Sequence, residues 1–181
     1  MQANAFPTIR RQRGFTLIEL IITMSLMAIL VGMGAPSFMT SIRENRNLTA
    51  ANVMLSAVSA ARSEALRRGA TVTLCPSADG ATCSANWADG WLILLDKNSG
   101  VAAPDVDKIL QVGAALNETT AAQTPAGSTW IRFSSRGFAD GITAGSTLQV
   151  SLKPSTCNSG TVFRTMEITS VGRVSFTKST C

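Results

Sequence analysis

The 181-residue chain contains no histidine. That absence excludes Ser-His-Asp and Cys-His nucleophilic catalysis, and every His-ligated zinc site. Charge is scarce too. Charged residues make up 15% of the chain against 45% hydrophobic residues, a balance that supplies a core and argues against global disorder. The formal net charge is +5, but Arg10, Arg11 and Arg13 all precede Gly14; removing these three from 16 basic residues leaves 13 against 11 acidic ones, or +2. Bulk electrostatics therefore do not announce a nucleic-acid binder, and only a local patch stays open. No C-x-x-C occurs among the four cysteines, Cys75, Cys83, Cys157 and Cys181. Four thiolates holding a metal remain the alternative; the spacing favours two disulfides and an oxidising compartment. Of the possible pairings, Cys75 with Cys83 and Cys157 with Cys181 each close a local loop.

Other chemistry is missing as well. There is no internal repeat. "RGATVTL" and "ADGWL" carry single glycines and make no phosphate cradle. "SADGATC" and "DKNSG" share Asp, Asn and Gly with calcium loops but lack alternating acids and a closing Glu, so they read as hydrogen-bonded turns. Ser, Asp and Lys form no recognisable catalytic set. Neither an enzyme nor a cofactor is expected. Trp91 in "GWLILL" reads as core, while Trp87 and Trp130 are open to core or interface roles.

What the chain does have is an apolar run at residues 15–35, "FTLIELIITMSLMAILVGMGA". A helix needs about 20 apolar residues to cross a hydrocarbon core of ~30 Å. Three preceding arginines predict residues 1–14 in the cytoplasm and the remainder outside. A cleaved secretory signal is the alternative, with "VGMGA" as its cut site. Glu19 counts against it. An acid inside an apolar span costs about 2.5–3.5 kcal/mol on insertion scales and calls for a partner.

"RGFTLIELIITMSLMAIL" resembles the class III signal of type IV pilins and type II secretion pseudopilins. The resemblance implies a prepilin peptidase that cuts after Gly14 and N-methylates Phe15. Glu19 then becomes the fifth mature residue, the position of the family's acid. Its implied partner is the new amine of Phe15 on a neighbouring subunit. Two such charges neutralise each other in a low-dielectric helix bundle, where either alone is expensive.

Beyond the run, Leu48, Ala51, Leu55, Val58, Ala61 and Ala65 recur at helical spacing, and Gly69 is a natural stop. The helix predicted over 15–68 has Pro36 as a kink, a feature the pilin resemblance shares. Glu64 and Arg68, one turn apart, are expected to pair. Short β-like runs follow at 71–75, 91–96, 108–113, 130–135, 147–153, 163–169 and 172–177. The fold class expected is α+β: a long N-terminal transmembrane helix packed on a mainly antiparallel β head. The expected layout is a leader 1–14, a transmembrane and assembly helix 15–35, an amphipathic helix 36–69 and a β head 70–181.

The ordered set "ARSEALRRGATVTLC", "WADGWLILLD", "FSSRGFADG" and "GRVSF" resembles the GspH/FimT group of minor pilins and pseudopilins. That resemblance implies a subunit anchored in the bacterial inner membrane with a periplasmic head, which then joins a surface fibre. The partners it implies are other minor and major pilins, the prepilin peptidase and the inner-membrane assembly platform. A minor pilin that helps prime a type IV pilus for adhesion, twitching or DNA uptake is the first reading; a type II secretion pseudopilin is the second. The third is a DNA receptor for transformation. Some members bind DNA through a Gly-Arg-x-Arg motif; Gly172 and Arg173 match it, but Ser175 replaces the second Arg. Lys153, Arg164, Arg173 and Lys178 are the basic residues expected to contact DNA if they gather on one face.

Overall fold

The computed structural model describes residues 14–100, 102–116, 121–123, 129–154, 157 and 160–181, with the side chains of 33–37, 39, 40 and 121–123 also outside the description. One long helix, α1 (Leu17–Arg68), is followed by β1 (Val72–Pro76), a 3-10 turn η1 (Trp87–Asp89) and β2 (Trp91–Asp96). Then come β3 (Val106–Gly113), β4 (Ala121–Gln123), β5 (Ile131–Phe133), β6 (Ala139–Asp140), β7 (Thr147–Lys153), β8 (Val162–Thr169) and β9 (Val174–Thr180). The chain divides into two compact units, the first ending at Ser41 and the second running Ile42–Cys181. The helical residues from 42 onward thus belong with the strands.

In the second unit the strands form two antiparallel sheets, ordered β3-β2-β1-β5-β6 and β4-β7-β8-β9. Helix residues 51–65 pack across both. Ala51, Met54, Ala57, Val58, Ala61 and Ala65 meet Leu74, Ile93 and Phe133 of the first sheet and Val150, Leu152 and Met166 of the second. Small alanines let the helix lie close. The expected stripe is corrected here: Leu48 is exposed and Leu55 only half-buried, while Met54 and Ala57 take the core positions. Both groups satisfy a three-and-four spacing, so periodicity alone could not choose between adjacent faces.

The helix ends where Gly69 adopts φ 62°. The Ala70 N–H then donates to the Ala65 carbonyl at 3.3 Å, the closing bond of a Schellman cap. Seven predicted runs correspond to strands; β4 and the two-residue β6 were not anticipated, being too short to carry an alternating pattern. Trp91 is core and lies over Gly113, its cross-strand partner. A Cβ on Gly113 would sit 1.9 Å from the indole. Trp87 is also buried in the main core.

β1 and β2 are buried on both sides. Away from the helix, Cys75, Leu92 and Leu94 form a small second cluster with Cys83, Val106 and Trp130. The structure joins Cys75 to Cys83 and Cys157 to Cys181, with Cα separations of 5.6 and 5.5 Å. The second bridge fastens the residue after β9 to the loop before β8.

Candidate assembly site

The start of α1 is a capped helix. Thr16 precedes the first helical residue, and its hydroxyl accepts the Glu19 N–H at 3.3 Å. Thr16-x-x-Glu19 is thus the sequence of a capping box, which gives the acid a local role as well. A carboxylate in the first turn also suits the positive end of the helix dipole. Thr23 and Ser25 donate their hydroxyls back to the carbonyls of Leu20 and Ile21 at 2.9 and 2.8 Å. Bonded in this way, both can enter an apolar medium with little cost. Glu19 differs: among the described residues no cation pairs with its carboxylate.

Around these polar groups the helix is apolar on every side. Each large hydrophobic residue from Phe15 to Val31 is at least 51% exposed. A helix that is hydrophobic all round belongs in a membrane or in a core. Among the described residues no helix is long and apolar enough to cross a membrane. Residues 17–32, whose side chains are described, extend about 24 Å at 1.5 Å per residue, short of the ~30 Å hydrocarbon core. The apolar sequence continues to residue 35. Gly14 is exposed, and a Cβ placed on it meets nothing within 4 Å. Nothing in the described fold requires glycine there. The side chain of Pro36 lies outside the described residues; its backbone is helical within α1.

The family-like motifs of the head converge on one side chain that sequence reasoning missed. Arg62, half-buried on α1, donates from Nε to the Gly137 carbonyl, from Nη1 to Gly172 and from Nη2 to Val171, each at 3.0 Å. Gly137 closes the β5–β6 turn of one sheet; Gly172 closes the β8–β9 turn of the other. Both adopt φ 76°. A Cβ on Gly172 would approach the Gly137 carbonyl to 2.6 Å. One guanidinium therefore ties the helix to both sheets. Beside it, Glu64 bridges Arg67 and Arg68 at 2.6 Å each. Those hydrogen bonds hold its carboxyl below the usual range.

A second hub lies under the far face of the first sheet. Arg132 and Asp96 are fully buried and paired at 2.6 Å. Thr73 donates to Asp96 at 2.6 Å, and Arg132 also donates to the Gly100 and Ala102 carbonyls at 2.9 Å. The Asn98 and Asp105 N–H groups complete the Asp96 shell. Burial pushes the Asp96 carboxyl up, but the bonds from Thr73, Asp105, Asn98 and Arg132 outweigh it and hold the group below its ordinary value. "DKNSG" is thus a loop built on a buried ion pair. "SADGATC" is an ordinary turn: Asp79 accepts the Ala81 and Thr82 N–H groups at 2.8 Å. Thr82 and Ala81 lead the interactions that depress the Asp79 carboxyl. Among the described residues no group of three or more His, Cys, Asp or Glu side chains could hold a metal ion.

The basic residues expected on one face are dispersed. Arg164 and Lys178 are direct cross-strand partners. Lys153 lies on the opposite face of that sheet, its Nζ 5.0 Å from the Phe163 ring centroid. Arg173 sits at the β8–β9 turn, five residues from Lys178, or about 16 Å along the strand. Ser175 faces Glu167 across the hairpin, an acid that would meet any arginine placed there.

An exposed apolar helical stretch whose one acid has no cation partner among the described residues, continuing into a helix packed on two antiparallel sheets, defines a pilin-like subunit. The family model described as "Type II transport protein GspH" matches residues 50–172, and the "Prokaryotic N-terminal methylation motif" matches residues 9–35. The chain belongs to the GspH family. Two crystal structures of the type IV minor pilin FimU from Pseudomonas aeruginosa strain PAO1, in space groups P21 and P65, share its fold. Their TM-scores are 0.57 and 0.54, each at 17% identity. The likeness covers 74% and 72% of this chain and 90% and 91% of those. No curated protein sequence matches.

Proposed function

We propose that the chain is a minor pilin, cleaved after Gly14 and N-methylated on Phe15, which enters a type IV pilus and helps prime its assembly. The observation that carries this is Glu19: the one charged residue of the apolar run 15–35, with no cation paired to it among the described residues. In a bundle of such helices the amine of a neighbouring Phe15 supplies the missing charge. The pairing penalises an isolated subunit and favours an assembled one. Other minor and major pilins are its partners, the peptidase and assembly platform its handlers, and the inner membrane its first location. The test is Glu19→Val in a host lacking the native copy. The variant is expected to insert and be cleaved, yet to be absent from sheared fibres. Its recovery in fibres at the wild-type level refutes the pairing.

A second reading, a pseudopilin of a type II secretion system, draws on the description of the matching family. Deleting the gene separates the two. Loss of surface fibres with secretion intact supports the pilus; the reverse supports the pseudopilin.

A further inference from the structure

We propose that the end of the head at which the chain enters it is a docking surface for anionic lipid headgroups. The proposal rests on the reading of residues 15–35 as a membrane anchor. It starts from Arg164 and Lys178, which stand directly opposite each other on β8 and β9. Like charges so placed destabilise a sheet, unless an external anion compensates them. Two residues along β8 from Arg164, the Val162 carbonyl accepts the side-chain amide of Asn47 at 3.3 Å. This places the first turns of the head's helix at the same end. Arg43 and Arg46 lie within about one turn of Asn47 and are exposed. Lys153, at the end of β7, adds a fifth cation on the other face.

Among the described residues none of these five has a carboxylate partner. Elsewhere the cations are engaged: Arg132 with Asp96, Arg67 and Arg68 with Glu64, Lys97 with Asp107, Arg62 with three carbonyls. Lys108, Arg136 and Arg173 lack a carboxylate too, but they lie on β3 and in the two far turns. Among the described residues the opposing acids near the entry end are Glu44, Asp89, which accepts the Asn86 amide at 3.0 Å, and the carboxylate of Cys181 where the chain stops there. Among the described residues positive charge prevails locally.

Chain length selects the occupant. Only six residues, 36–41, separate the apolar run from the head in the sequence. A chain anchored by that run therefore keeps this end close to the bilayer surface, where anionic headgroups act within about a Debye length. Duplex DNA fits less well. The cations divide between two sheet faces, and Arg173, the residue of the DNA-like motif, sits at the other end of the hairpin.

The test uses residues 42–181, a compact unit by itself that holds both sheets, both disulfides and every residue of the two core clusters. It is floated with vesicles of phosphatidylcholine carrying about 30% phosphatidylglycerol, and with pure phosphatidylcholine, at low and moderate salt. Binding to anionic vesicles alone, weakened by salt, is expected. Each cation near a membrane contributes about fivefold in affinity, so Arg164→Gln with Lys178→Gln lowers binding roughly 25-fold. Lys108→Gln with Arg136→Gln removes the same charge elsewhere and leaves it nearly unchanged. Because the first pair relieves like-charge repulsion, that variant is expected to melt no lower than wild type. Equal binding to neutral vesicles, equal loss in both double variants, or tighter binding to duplex DNA than to anionic vesicles overturns the proposal. The anchor is absent from this experiment, so its outcome is independent of whether the subunit enters a pilus.

Discussion

Arg132 stands in "WIRFSS" as an ordinary strand residue, and Asp96 ends "WLILLD" ahead of what reads as a turn. Nothing in their spacing links them. Only the antiparallel pairing of β1 with both β2 and β5 brings the two together under the sheet. Removing one partner of a buried pair leaves an uncompensated charge and costs about 3–5 kcal/mol. Asp96→Asn is therefore expected to destabilise the head by that order near neutral pH. The pH dependence has a definite sign. The folded Asp96 value lies below its ordinary 3.8, so its contribution is complete above that pH and is lost as pH falls through the folded value. Thermal melts of wild type and Asp96→Asn from pH 6 downward check this. The gap between them narrows in acid; a constant gap contradicts the role given to the ionised form.

At the scale of elements, Arg62 couples one helix to two hairpin turns. The sequence showed the motifs containing Gly137 and Gly172 as an ordered set but not why they occur together; the shared guanidinium is the reason. Arg62→Ala leaves three carbonyls to water or to nothing, a loss of roughly 2–4 kcal/mol at about 1.5–3 kcal/mol per charged bond with partial solvent replacement. Hydrogen exchange is expected to quicken first in the β5–β6 and β8–β9 turns; protection unchanged there counts against the coupling. The Cys157–Cys181 bridge acts on β9 in a similar way. In the chain-entropy view a 24-residue separation gives a loop worth roughly 3 kcal/mol. Cys181→Ser is expected to lower the melting temperature and to open the end of β9 to protease, with cleavage unchanged as the contrary result. The β runs and the helix stop were legible because they rest on local chemistry: alternation, Gly69, flanking turns. The helix face was misread because Leu48 and Leu55 obey the same period as their buried neighbours. The two shortest strands carry no local signal at all; they exist because β5 and β7 offer them an edge.

For the whole molecule, the proposed assembly site is a reading of the sequence, since it consists of contiguous residues, 14–35. The structure adds the cap at Thr16, the internally bonded hydroxyls of Thr23 and Ser25, and the exposure of every large apolar side chain from Phe15 to Val31. The basic residues expected to contact DNA are distant in sequence, and strand register divides them between two faces.

The most direct measurement is mass spectrometry of surface fibres sheared from the host bacterium. Head peptides of this chain are expected in the fibre fraction, at low abundance beside a major subunit, with an N-terminal peptide that begins at an N-methylated Phe15. Fibres devoid of the chain, with residues 1–14 still attached to it in the membrane fraction, would contradict the proposed role.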